Sequence, residues 1–165
     1  MSDRFERLRD NHFGPWLRRC APEGRKEAPP TFVWSIENSG GCLHAHWLVY
    51  VPAGRIEDFK RRLPVWLEKV TGEVTDMDAA LHVVKAHTPK GAIKYLMKGL
   101  DPFYASAYGI NASDQGEVIG NRSNFSRSLG PSIKKALQAE GRMKPTRRLA
   151  VPRKGIAAMS PAGPA

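Results

Sequence analysis

Residues 31–51 constrain this chain more than any other stretch. Thr31–Glu37 (TFVWSIE) and Leu43–Val51 (LHAHWLVYV) are both rich in β-branched and aromatic residues, which favour the pleated strand. Asn38-Ser39-Gly40-Gly41 separates them, and two strands joined by so short a glycine turn predict an antiparallel hairpin. Period-two alternation puts Leu43, Ala45, Trp47, Val49 and Val51 on one wholly apolar face, the core side. His44, His46, Leu48 and Tyr50 share the other face. With Gly40 and Gly41 as the central turn residues, Ser39 faces Cys42, Glu37 faces His44 and Ser35 faces His46. Directly opposed residues point to the same side of a sheet, so Glu37 stands with both imidazoles. A three-residue loop would slip the register by one and turn Glu37 to the core face.

Two neutral imidazoles and one carboxylate leave open positions on an ion. The set suits Mg²⁺ or Mn²⁺ with a phosphate bound, and also Zn²⁺. The plainer alternative is a pair of surface histidines. Cys42 has the strand parity to extend the pattern to C-x-H-x-H, but it sits in the turn and reads as a bystander. The H-x-H-x-D-H pattern of binuclear metallohydrolases fails, because Trp47-Leu48-Val49 follows His46. A barrel amidohydrolase needs about 250 residues, and this chain has 165.

Around the hairpin, residues 3–19 read as helical, with Phe5, Leu8, His12, Phe13, Trp16 and Leu17 near one face and Gly14-Pro15 as the expected break. Residues 21–30 form a proline-rich loop. Residues 55–70 predict a helix with a stripe of Ile56, Phe59, Leu63, Trp66, Leu67 and Val70, kinked or divided at Pro64. Ala79–Ala86 (AALHVVKA) reads as a third strand, and residues 91–99 as a short helix after the Thr88-Pro89-Lys90-Gly91 turn. Residues 101–120 read as mostly loop, with short extended pieces near 108–110 and 117–119. Ser128 is placed to cap a helix over 131–140, with Pro131 in its first turn. The pattern predicts an α+β fold: a central antiparallel sheet flanked by helices over residues 1–140, then a basic, disordered tail over 141–165.

Charge is uneven along the chain. Residues 121–154 hold ten basic residues and one acid, Glu140, whereas residues 1–120 are nearly balanced, with 16 basic and 15 acidic residues. A basic final third on a balanced body points to a polyanionic partner, nucleic acid before an anionic membrane. The bland alternative is a solubilising tail. No apolar run approaches the roughly 18 residues that would cross a bilayer. The charged N-terminus has no apolar segment of a secretory signal, and two cysteines, Cys20 and Cys42, make no disulfide framework; a reducing cytoplasm is the expected compartment.

The second chemical feature is Ala92-Ile93-Lys94-Tyr95-Leu96-Met97-Lys98-Gly99, a helix stopped by glycine. Tyr95 and Lys98 are three apart and share a face. An ammonium beside a phenol favours its ionised, nucleophilic form and helps hold a phosphate; Lys90 and Lys94 add positive potential. The alternative is an amphipathic helix with an ordinary tyrosine and solvated lysines.

Taken together, an H-x-H strand, an acid on its hairpin partner, and a downstream Y-x-x-K helix on a basic chain resemble the HUH endonuclease superfamily. The order, histidine motif before tyrosine motif, resembles its replication-initiator branch. Phe32–Pro52 (FVWSIENSGGCLHAHWLVYVP) is similar to rolling-circle Rep proteins of bacterial plasmids and phages, and Asn121–Leu137 resembles a downstream segment of theirs less specifically. The resemblance covers residues 31–100. It implies that His44, His46 and Glu37 bind one divalent ion, Mg²⁺ or Mn²⁺, that Tyr95 is the nucleophile and that Lys98 is its helper. It further implies a reversible nicking reaction on single-stranded or hairpin DNA at a replication origin, a 5′-phosphotyrosine intermediate, and a borrowed host helicase. Two features depart from the family pattern: no first-motif strand precedes Thr31, and Tyr104 and Tyr108 lie beyond Gly99 and Pro102, which favours a single-tyrosine mechanism. Arg122, Arg127, Lys134, Lys135 and the 142–154 cluster are candidate phosphate contacts, alongside Lys90 and Lys94. Trp34, Trp47, Phe103 and Tyr104 are candidate base-stacking groups, Trp47 weighted to the core. Open alternatives are a transposase or relaxase-like recombinase of the same superfamily, a non-catalytic single-stranded-DNA-binding protein with a structural metal, and a zinc hydrolase drawing on His82 or His87.

Overall fold

The computed structural model describes residues 2–19 and 30–144. Residues 20–29, including Cys20, and the tail from residue 145 lie outside it.

The N-terminal segment is helical, as its periodicity predicts. It does not break at Gly14-Pro15. Instead α1 (Ser2–Arg7) passes through a π-helical turn, Leu8–Phe13, into α2 (Gly14–Arg19). The Gly14 N–H donates to the Arg9 carbonyl, five residues back. This widened turn lies just ahead of Pro15, whose missing N–H and bulky ring a regular α-turn resists.

The hairpin follows, β1 (Phe32–Ser39) and β2 (Cys42–Val49). Gly40 and Gly41 adopt φ of 63° and 79°, the left-handed pair that a two-residue hairpin turn requires and glycine supplies without strain. The register is the expected one: Ser39 opposes Cys42, Glu37 opposes His44 and Ser35 opposes His46.

Helix α3 (Ile56–Thr71) runs through Pro64 without dividing and buries Phe59, Leu63 and Trp66. These join Leu8, Phe13, Trp16 and Leu17 in the main core, with Trp47 and Val49 of β2 packed against it. Phe13 and Trp47 meet edge-on at 4.9 Å between centroids, and Phe5 covers Trp34 at 5.3 Å. The core face of the hairpin is thus sealed by aromatic contacts. Trp34 and Trp47 bury their indole N–H groups without an acceptor among the described residues, a cost that the ring packing offsets.

The expected third strand over Ala79–Ala86 does not form. Residues Met77–Ala80 make one helical turn, α4, capped by the Asp76 side chain on the Ala79 N–H, and 81–86 carry no regular structure. The local β-propensity of LHVV loses to capping chemistry at its start and finds no ladder partner among the described residues. Helix α5 covers Pro89–Leu96. Residues 101–120 are not all loop: Pro102–Ala107 form α6, capped by Asp101 on the Phe103 N–H. Neither extended piece near 108–110 or 117–119 is a strand.

The strand that sequence reading overlooks is β3 (Ser123–Phe125). It pairs antiparallel with β1, Val33 opposite Phe125 and Ser35 opposite Ser123, giving a sheet order of β2-β1-β3. Finally, α7 spans Pro131–Ala139. Ser128 does not cap it; Gly130 holds the cap position, and the Ser128 hydroxyl instead bonds Ser126, Thr31 and the Pro30 carbonyl. The architecture is therefore α+β, a three-stranded antiparallel sheet among the described residues with helices around it. No described helix is long and apolar enough to cross a membrane.

Candidate metal centre

The sheet face opposite the aromatic core carries the candidate site. Ser35 and Glu37 of β1 project there with His44 and His46 of β2, because opposed residues in the ladder share a side. Both imidazoles converge on one carboxylate oxygen. The Nε2 atom of His44 lies 2.5 Å from Glu37 Oε1, and Nε2 of His46 bonds the same oxygen. The three ligand atoms all lie within 4.8 Å of one another.

The rings are oriented for this. The His44 Nδ1 sits 2.9 Å from the Cys42 carbonyl, which can only accept, so Nδ1 carries the donated proton. The lone pair of a neutral His44 then points from Nε2 at Glu37. Such facing lone pairs are satisfied by a proton shared along the contact, or by a metal ion bound by both groups. Glu37, His44 and His46 could together hold a metal ion, offering two imidazole nitrogens and one carboxylate oxygen, with one ring fixed by a backbone carbonyl. Cys42 contributes that carbonyl rather than its thiol, which is exposed. His82 and His87 stand outside the group.

Glu37 is the buried member, its side chain 4% exposed against 42% for His44 and 27% for His46. Its second oxygen, Oε2, faces the Lys98 ammonium at 2.8 Å. That contact is a charge pair without aligned hydrogen-bond geometry, since Oε2 has no hydrogen-bond partner. Burial pushes the Glu37 carboxyl up, but Lys98, His46 and His44 outweigh it and hold the group at about 2, below its ordinary 4.5. Burial likewise works against the Lys98 charge, yet Glu37 and Tyr95 raise its pKa overall.

Helix α5 delivers the tyrosine. It packs against β1 and β2 and sets the Tyr95 ring edge-on to His46 at 4.9 Å between centroids. Tyr95 remains 51% exposed. Lys98 is not on the helix, as its spacing suggests, but in the turn after it: α5 ends at Leu96 and the Lys98 N–H bonds the Tyr95 carbonyl at 3.2 Å. The turn folds the ammonium back to 4.1 Å from the Tyr95 ring centroid, between the phenol and Glu37.

The remaining candidates divide. Lys94 ties its Nζ to the Gly109 carbonyl at 2.7 Å, bracing α6 against α5, while Lys90 is exposed at the start of α5. Arg122 lies beside the site, its carbonyl accepting the Ile36 N–H at 2.7 Å. Arg127, Lys134 and Lys135 make no described contact with it. Trp34 is fully buried and Trp47 packs in the core, so neither can stack a base; Phe103 and Tyr104 are exposed.

Sequence reading singled out Arg122 but missed the rest of the segment 113–122, which clamps the site. Its Ser113 N–H bonds the Lys98 carbonyl at 2.9 Å, and its Gln115 carbonyl accepts the Asn38 N–H at 2.7 Å. Gly116, at φ 66°, passes so close to Asn38 that a Cβ would run into the Asn38 carbonyl. The available signal was the glycine pair, Gly116 and Gly120, both with positive φ and both otherwise unexplained.

Compared with protein-family models, curated proteins and solved structures, the chain matches none.

Proposed function

We propose that this chain is a metal-dependent DNA nicking-and-joining enzyme of the HUH endonuclease type, acting on single-stranded DNA as a replication initiator does. The observation that carries the reading is the convergence of His44 Nε2, His46 Nε2 and Glu37 Oε1, with Tyr95 against His46 and Lys98 bridging Tyr95 and Glu37. Nucleophile, charge partner and ligand set come from three separate elements and meet at one exposed face.

In this reading His44, His46 and Glu37 hold Mg²⁺ or Mn²⁺. A divalent ion there supplies polarisation of the scissile phosphate and charge stabilisation in the transition state. The hydroxyl of Tyr95 attacks the phosphorus, forming a Tyr95–phosphate ester as the P–O3′ bond breaks. The phenol proton leaves, and the 3′ oxygen departs as a hydroxyl after taking up a proton. Lys98, held near the phenol oxygen's ring by Glu37, offsets negative charge as the phenol loses its proton. The phosphotyrosine ester conserves the energy of the phosphodiester, so a 3′-hydroxyl can reverse the step and rejoin strands. The exposed aromatics on α6 and the basic residues after Asn121 supply stacking and phosphate contacts.

A denaturing gel tests this directly. A degenerate single-stranded oligonucleotide pool with Mn²⁺ is expected to give a slow-migrating covalent adduct, lost with EDTA and with Tyr95→Phe. An adduct formed by Tyr95→Phe refutes the nucleophile. Strands bound tightly but never linked, with either metal, refute the catalytic reading and leave a binding protein.

A further inference from the structure

A cavity of about 330 Å³ opens directly behind the Tyr95–Lys98 turn. Gly99, Asp101, Ser113, Asp114, Gln115 and Arg122 are among its walls. The proposed nuclease chemistry uses neither Asp101 nor Asp114, and the Arg122 guanidinium, held on the Gly116 carbonyl, faces this cavity rather than the reacting phosphate. We infer that this cavity is a guanine-selective base subsite for the nucleotide next to the scissile phosphate. The inference rests on the nuclease reading for its place in the reaction, while its chemistry stands on the cavity alone.

Position comes first. The cavity wall is bonded to the site on both sides, Ser113 to Lys98 and Gln115 to Asn38, the latter adjoining Glu37. A strand with its phosphate at Tyr95 therefore has a neighbouring base within reach. Gly99 keeps one wall flat; a Cβ there would come 2.8 Å from Gln115 Cγ and crowd the space. Leu100, Pro102 and Ala112 supply the apolar part of its wall.

The polar groups are fixed before any ligand arrives. Asp101 Oδ1 accepts the Phe103 N–H at 2.9 Å, and Asp114 Oδ1 accepts the Gly116 N–H at 2.9 Å. Each carboxylate thus has a second oxygen for another donor. Arg122 anchors Nη2 on the Gly116 carbonyl and has further N–H groups. Two carboxylates against one guanidinium leave surplus negative charge, which disfavours a phosphate in the cavity. What suits it is a neutral planar group offering paired donors and paired acceptors. Among the DNA bases guanine alone presents two adjacent N–H donors, N1 and N2, to one carboxylate and two acceptors, O6 and N7, to a guanidinium. Thymine has one ring N–H, while adenine and cytosine have a single exocyclic amine.

Fluorescence anisotropy in EDTA tests the subsite without the chemistry. The probes are short labelled oligothymidylate strands carrying one central dG, dA, dC or dT. The dG strand is expected to bind roughly tenfold tighter than the others, and Asp114→Asn, which keeps the Oδ1 acceptor, is expected to bring all four within about twofold. Replacing dG by inosine, which lacks the N2 amine, or by 7-deazaguanine, which lacks N7, should each weaken binding to the unaltered protein. Those analogues decide the matter even if the variant does not fold. Equal binding of all four strands, preference for another base, or a guanine preference untouched by both analogues overturns the inference. The gel assay separates the two readings: guanine preference without an adduct upholds the subsite and removes the nuclease, and an adduct without base preference does the reverse.

Discussion

Removing the Lys98 ammonium should unbalance the candidate metal centre in a way that metal-free protein already reveals. Lys98→Met keeps the stem and deletes the charge 2.8 Å from Glu37 Oε2. The carboxylate left behind is 4% exposed, too buried for water to replace the lost partner fully. The drop of the Glu37 pKa from 4.5 to about 2 corresponds to ~3 kcal/mol favouring the charged form. That stabilisation is shared among Lys98, His46 and His44, so Lys98 accounts for ~1–2 kcal/mol of it. The figure lies between the ~0.2–1 kcal/mol of exposed pairs and the ~3–5 kcal/mol lost on breaking fully buried ones, as suits a lysine that is 21% exposed. Because the folded pKa is depressed, the contribution is complete above about 4.5 and fades as pH falls through about 2. Urea unfolding in EDTA at pH 7 of the parent, Lys98→Met, Glu37→Gln and the double variant gives the coupling energy. We expect ~1–2 kcal/mol at pH 7. A coupling below ~0.3 kcal/mol, the usual additivity error, would refute the claim that Lys98 contributes to keeping the buried Glu37 charged.

Other consequences follow from the same structure. His46→Ala should weaken Mn²⁺ binding by more than about tenfold in calorimetry, with Tyr95→Phe close to parent; equal affinity in His46→Ala removes the ligand assignment. Gly116→Ala should lose about 2 kcal/mol or more in urea unfolding, because φ of 66° is strained for alanine and the new Cβ meets the Asn38 carbonyl; a change under ~0.5 kcal/mol contradicts the close approach. The Asp58 carboxylate accepts the Trp16 indole N–H at 2.8 Å and pairs with Arg61 and Arg62, holding its pKa at about 2, below the ordinary 3.8. Its contribution is present above 3.8 and lost as pH falls through about 2, so Asp58→Asn should flatten the acid limb of thermal stability; an unchanged acid limb argues against the pairing.

Much of the candidate centre is legible in the hairpin alone. Alternation and a two-glycine turn are local rules, and residues 37–46 are close enough in sequence for turn geometry to fix their register. Glu37, His44 and His46 therefore sit where counting along the strand puts them. Lys98 shows the limit of such counting. Helical spacing pairs it with Tyr95, but the helix ends first, and the turn that follows carries its charge to Glu37 as well.

What counting does not reach is decided by contacts between distant segments. LHVV at 81–84 has strand composition yet no partner among the described residues, whereas Ser123-Asn124-Phe125 has little strand signal and adds the third strand, because the open edge of β1 offers it a ladder. A strand is fixed by the groups that satisfy its backbone, and those are set by the whole fold. The clamp over 113–122 and the cavity behind Lys98 arise the same way, from backbone bonds between loops with no periodic pattern. The amino-acid sequence by itself set the α+β class, the hairpin and the ligand face. The tertiary structure alone brought Lys98 onto Glu37, Tyr95 onto His46, and Asp101, Asp114 and Arg122 around one cavity, since only packing holds residues from separate segments at bonding distance.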